Sequence, residues 1–229
     1  MDREPISGTT AESERVELWI RDLKDPDPDG RIRALGDIGD PRSIVILIEA
    51  LFDDDPSVRA ASAWTLGDTR SPAAVDHLIK ALTDDDEGVR RCTAWALGSL
   101  GDSRAVDPLI LSLRDGSWRV RFAAAESLGK IGDKRATEPL VSTLMDEDKT
   151  VRVGAAWAIG EMGDAGAVDP LVKLLNDDNS GCRTIAAEVL ERLGWVETNH
   201  WVETNHWVEA NHYKRRATKF IERFWRRSR

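Results

Sequence analysis

The sequence predicts an all-α protein, a solenoid of antiparallel helical hairpins. Three observations predict it. Leu-Gly and Ile-Gly steps recur every 31 residues, with glycines at Gly36, Gly67, Gly98, Gly129 and Gly160, and Glu191 at the same phase in a sixth copy. Arginines keep the same time at Arg59, Arg90, Arg121, Arg152 and Arg183. Apolar residues within each copy fall three and four apart, as in Val106, Leu109, Ile110 and Leu113, which is the stripe of an amphipathic helix. A fixed period of about 20–50 residues marks repeats that bury their apolar faces only by stacking on neighbours.

Composition agrees with this reading. The chain has 229 residues and is 41% hydrophobic, too apolar for a disordered chain. The aliphatic run Ile44 to Ile48 is too short to span a bilayer, and Met1-Asp2-Arg3-Glu4-Pro5 lacks the apolar core of a signal peptide. Cys92 and Cys182 are the only cysteines. They give neither a disulfide framework nor a metal-ligand spacing, so a cytoplasmic, reducing location is expected. Net charge is −9, but residues 213–229 hold eight Lys or Arg against one Glu, a local +7 that leaves −16 on residues 1–212. An acidic body repels a phosphate backbone, which argues against nucleic-acid binding by the repeats.

The elements follow in order. Residues 1–11 read as a flexible N-terminus. Thr9 with Glu12 offers a capping box for an opening helix, Val16 to Leu23, which matches Val75 to Leu82 in phase. The first copy is short by three residues, because Arg31 precedes Leu35 by four whereas Arg59 precedes Leu66 by seven. Each full copy then holds a helix A ended by glycine and a helix B started by Asp, as at Gly132-Asp133. Pro108, Pro139 and Pro170 sit early in B, where a missing N–H is tolerated. Loops of a few residues force A and B to be antiparallel neighbours. The repeat body is assigned to residues 12–194, a hexapeptide tandem to 195–212 and a basic amphipathic helix to 213–229.

The motif Asp-x-x-Val-Arg-x-x-Ala-Ala-x-x-Leu-Gly, best seen from Asp148 to Gly160, resembles the HEAT-like repeats of the phycobilisome-lyase type. Designed alpha-helical repeat proteins share that consensus. The resemblance implies a right-handed alpha-alpha superhelix with A helices lining its concave side. It does not imply lyase activity, because many adaptors use the same repeat.

Two columns are candidate sites. Arg59, Arg90, Arg121, Arg152 and Arg183 each follow an acidic cluster, such as Asp84-Asp85-Asp86-Glu87. Carboxylates there cap helix A, and a planar guanidinium can bridge one loop to the next, so these arginines are expected to form a structural ladder. The clusters lack the calcium loop's glycine and terminal Glu, and no metal site is assigned. The second column lies on helix A. At about 100° per residue from Val58, Trp64 falls near 240°, outside the stripe of Ser62, Thr65 and Leu66. Across the copies this position reads Trp64, Trp95, Glu126, Trp157 and Glu188, with Trp118 and Phe122 at neighbouring variable positions. In the designed relatives, the equivalent positions are the variable binding ones. These seven residues are therefore the expected partner-binding set. The alternative is that each Trp folds down over small residues of adjacent helices.

The tail breaks the period. Trp195 to His200 is copied as Trp201 to His206 and, with one change, as Trp207 to His212. Its Glu-x-x-His pairs invite a metal, but six residues turn a helix by about 240°, which points the three pairs in three directions. Duplication of a short coding segment explains them more simply. Residues 213–229 place Tyr213, Ala217, Phe220, Ile221, Phe224 and Trp225 on one helical face, with basic residues mostly elsewhere. Three roles stay open: a cap on the last A helix, a contact with anionic membrane or nucleic acid, and self-association through an acidic aromatic groove.

Functionally, the chain reads as a non-catalytic scaffold or adaptor that binds an unidentified protein partner on its A-helix face, with no cofactor. It has no phosphate loop, nucleophile elbow or Cys–His pairing. The absence of a His-Glu dipeptide argues against the deoxyhypusine hydroxylases, which use this repeat with such pairs. A subunit of a bilin lyase-type enzyme is the enzymatic alternative, on resemblance alone.

Overall fold

The computed structural model describes residues 44–195, together with Asp27 and Gly30. The expectations for residues 1–11, for the opening helix and for residues 196–229 lie outside them. The described residues form ten α-helices and no strand, an α-α solenoid in which A and B helices alternate as the 31-residue period predicts. Their contacts group into two compact units, one up to Ser112 and one from Leu113.

In the first unit the order is α1 (Ile44–Ala50), α2 (Pro56–Asp68), α3 (Val75–Ala81), α4 (Glu87–Leu100) and α5 (Val106–Ser112). The A helices α2 and α4 pack on each other, while the B helices α1 and α3 pack on α2 and α4. Leu47, Val58, Leu66, Leu78, Val89 and Leu97 are fully buried between them. Each such side chain contributes about 1.5–3 kcal/mol by leaving water. The Ser62 hydroxyl donates to the Leu47 carbonyl, joining α2 to the middle of α1.

The second unit continues with α6 (Trp118–Ile131), α7 (Thr137–Thr143), α8 (Lys149–Met162), α9 (Val168–Leu174) and α10 (Ser180–Arg192). Here α8 packs on both α6 and α10, α7 on α8, and α9 on α10. The buried set repeats two periods on, with Val120, Leu128, Leu140, Val151, Ile159 and Leu171 all at zero exposure.

The link from A to B uses one device. Gly101, Gly132 and Gly163 end α4, α6 and α8 in the left-handed region, at φ of 68°, 72° and 66°. The next residue, Asp102, Asp133 or Asp164, accepts a backbone N–H two residues on and starts a 3-10 turn that runs into helix B. Pro108, Pro139 and Pro170 are the third residues of α5, α7 and α9, inside the first turn. One copy breaks the pattern. Arg70 stands 31 residues before Gly101 and holds the same left-handed conformation, at φ 54°. A side chain with a Cβ is strained there by about 1–2 kcal/mol.

Arg70→Gly is therefore expected to stabilise the protein by about 1 kcal/mol, and Gly132→Ala to destabilise it by a similar amount. Urea unfolding of the two variants checks both signs.

Candidate protein-binding face

The A helices are positioned from their N-terminal loops. The first Asp of each loop closes a turn on itself: Asp53, Asp84, Asp115, Asp146 and Asp177 each accept the backbone N–H two residues on, at 2.8–2.9 Å. That acceptance fixes the carboxylate's direction. At Asp84, Asp146 and Asp177 an arginine from the preceding A helix then grips the carboxylate at two points. Arg59 donates from Nε and Nη2 to Asp84 at 2.7 and 2.8 Å. Arg121 does the same to Asp146 at 2.8 and 2.9 Å. Arg152 lies 2.8 Å by Nε and 2.9 Å by Nη2 from the Asp177 carboxylate.

The third nitrogen turns back to the arginine's own loop. Nη1 of Arg59, Arg121 and Arg152 donates to the carbonyls of Asp53, Asp115 and Asp146, each at 2.9 Å. Arg90 and Arg183 make the same backward contact, to Asp84 and Asp177 at 2.8 Å. A planar fork thus ties two successive loops with one side chain, as a point charge could not. The pairs are well shielded, with side-chain exposures of 8% for Arg121 and 12% for Asp146. The hydrogen-bonded guanidinium of Arg59 holds the Asp84 carboxyl below the usual carboxylate range. At Asp177, burial pushes upward, but the Arg152 pair and the Asn179 N–H outweigh it and hold the group low.

At the other end of the A helices, the Leu-Gly step serves packing rather than a turn. A Cβ on Gly67 would lie 2.8 Å from the Ala96 Cα, and one on Gly129 would lie 2.7 Å from the Ala158 Cα. The same glycines receive tryptophan edges. The Trp95 ring reaches within 3.0 Å of the Gly67 Cβ position, and the Trp157 ring within 3.3 Å of that of Gly129. Small residues on one A helix therefore seat the aromatic of the next. In the first unit this brings Trp64 and Trp95 into a parallel stack, with ring centroids 3.7 Å apart and planes within 5°. Both rings stay half-buried.

The second unit handles the column differently. Glu126 takes the position of a Trp, and its carboxylate pairs with Lys130 one turn on at 2.8 Å. Trp157 and Glu188 are half-buried on α8 and α10. Trp118 opens α6 and is 36% exposed, with the Arg119 guanidinium 4.8 Å from its ring centroid. Phe122 lies over Gly154, whose added Cβ would meet its ring at 2.7 Å. The Phe122 position is specific to this copy, since positions 31 residues either side of it hold Arg91 and Val153.

The structure thus brings Trp64 beside Trp95 in one unit, and groups Trp118, Phe122, Glu126, Trp157 and Glu188 on the A helices of the other. Sequence reasoning named two partners only in outline, small residues of adjacent helices under each Trp and the acidic loop clusters bridged by arginine; the structure makes them the glycine seats and the first loop Asp. Both carry a signal, because Gly67, Gly98, Gly129 and Gly160, and Asp53, Asp84, Asp115, Asp146 and Asp177, each recur at period 31. Among the described residues no cluster has the donors for a metal ion, and no helix is long and apolar enough to cross a membrane. Both cysteines are buried, and burial pushes the Cys182 thiol up to about 11.

A family model of HEAT repeats matches residues 16–97, 82–146 and 137–199. The chain belongs to the HEAT-repeat family. Among solved structures, this HEAT-repeat chain is similar to one in the complex of CpcE and CpcF of phycocyanin lyase from Nostoc sp. PCC7120. Identity there is 31% and TM-score 0.59, over 66% of this chain and 64% of that one, so the match spans less than two thirds of the lyase chain's length. An engineered protein matches at 24% identity and TM-score 0.59, over 80% of this chain and 99% of its own. A designed armadillo repeat protein in complex with the peptide (KR)4 matches at 22% identity and TM-score 0.58, over 78% and 99%. These last two show the fold alone. No curated protein matches.

The depressed carboxylates give the HEAT repeats an acid-sensitive term. A carboxyl whose folded pKa lies below its unfolded value contributes stability above the unfolded pKa, about 3.9 for Asp, and loses it as pH falls through the folded value. Melting temperature is expected to hold between about pH 5 and 7 and to fall steeply below about pH 4. Asp84→Asn should lower the neutral-pH melting point and flatten that acid slope, as calorimetry across the range reads directly.

Proposed function

We propose that this HEAT-repeat chain is a non-catalytic binding module whose A-helix faces hold an apolar or basic segment of a partner protein. The observation that carries the reading is the Trp64–Trp95 stack. Two large rings in parallel register, half-buried on adjacent helices, form an aromatic plate of the kind that anchors interfaces. The glycine seats support the same reading, because they fix the rings in place before a partner arrives and so lower the ordering cost of binding. Trp118, Phe122 and Trp157, with Glu126 and Glu188, form the corresponding set on the second unit. The arginine column serves as the scaffold's ladder rather than as an anion site, since Arg59, Arg121 and Arg152 are engaged by carboxylates and carbonyls.

A second reading has one observation in its favour. The similarity to a chain of the phycocyanin lyase complex supports a role as a subunit of a bilin lyase-type enzyme. Co-expression with a phycobiliprotein and a bilin distinguishes the two, since a coloured covalent adduct supports only the lyase reading.

The binding reading is tested with a panel of short peptides that mix basic and aromatic residues, with (KR)4 as the all-basic member. Titration followed by tryptophan fluorescence should show saturable binding by at least one member. Trp95→Ala combined with Trp157→Ala should weaken it tenfold or more while the helical circular-dichroism signal persists. Loss of cooperative melting in that variant would instead make the rings core residues.

A further inference from the structure

Residues 213–229 lie outside the described residues, and their sequence is chemically opposite to the rest of the chain. We infer that the α2/α4 face of one molecule binds residues 213–229 of a second copy, so that the chain associates with itself head to tail. The inference rests on the binding reading above and names its partner.

The receiving face carries the stacked Trp64 and Trp95 rings. The same two helices and their loops carry exposed carboxylates, Asp68 one turn beyond Trp64 on α2, Glu87 at the start of α4, and Asp54 and Asp85 in the preceding loops. Arg91 is exposed on α4 as well, but residues 53–99 still hold nine Asp or Glu against five Lys or Arg. Arg59, the cation closest in sequence to the first cluster, is committed to Asp84. The incoming segment carries +7, together with Tyr213, Phe220, Ile221, Phe224 and Trp225. Aromatic anchors on the tryptophan plate, ringed by opposite charges, match the usual division of an interface into an apolar centre and a polar rim.

Such a contact is heterologous, because two different surfaces of the same chain meet. It therefore builds an open chain or a closed ring, and is sensitive to salt through its charged rim.

Sedimentation velocity of the full chain tests it. At about 50 mM salt the average mass should climb with concentration past that of a dimer, and at about 500 mM it should fall towards monomer. Three variants are compared: Phe220→Ser/Phe224→Ser/Trp225→Ser in the segment, Trp95→Ala on the face, and Asp68→Lys/Glu87→Lys on its rim. The last pair is exposed, so it tests the face without touching packed residues. Each variant alone should associate at least tenfold more weakly. A mixture of the segment variant with the rim variant should recover a 1:1 complex, since it contains one intact face and one intact segment. Association that survives the segment variant, or a mixture that recovers nothing, would overturn the inference. A wild type that stays monomeric at every concentration would also overturn it. If that monomer still binds a peptide of the panel, the binding reading stands and only self-association fails.

Discussion

Within each unit, neighbouring A helices are registered against each other by a carboxylate that is itself held in place. Asp84 and Asp146 each accept a loop N–H and then take two hydrogen bonds from the arginine of the preceding A helix. Because the same arginine also donates back to its own loop, the spacing between successive loops is set by one rigid group. A lysine could supply the charge but not the two-ended geometry. Repeat stacking buries apolar surface without direction. The guanidinium fork adds the direction.

The opposite end of the helices obeys a steric limit. Gly67 and Gly129 let the A helices approach until an added Cβ would collide with the next backbone. That closeness, set jointly by the fork and the glycine, brings Trp64 and Trp95 into stacking distance. Where Glu126 replaces a Trp, the column loses its aromatic neighbour and gains an ion pair with Lys130. The candidate site is thus a by-product of the packing register, and substitution in one column changes its chemistry without altering the scaffold.

Much of this was legible in the sequence. Period and apolar spacing located the hairpins, and the Gly132-Asp133 type of step located the link from A to B. Two features were hidden for physical reasons. The Leu-Gly glycines look like helix enders, yet Gly129 is buried inside the last turn of α6 and it is Gly132 that takes the left-handed turn. Sequence spacing reports angle around one helix, whereas the role of Gly129 depends on the distance to another. Likewise, helical projection put Trp64 outside the core stripe but could not show that the Trp95 ring lies flat against it. Arg70 was hidden for a different reason, because its strain comes from a backbone shape imposed by the neighbouring copies.

The account stands most directly on the coupling between Arg121 and Asp146. A double-mutant cycle with Arg121→Met, Asp146→Asn and the double variant, measured by urea unfolding, isolates that pair from its other contacts. The expected coupling is favourable by about 2 kcal/mol or more, within the range for residues sharing one hydrogen-bonded network. A coupling near zero, as for a solvent-screened surface pair, would contradict the claim that the arginine fork sets the register of the repeats.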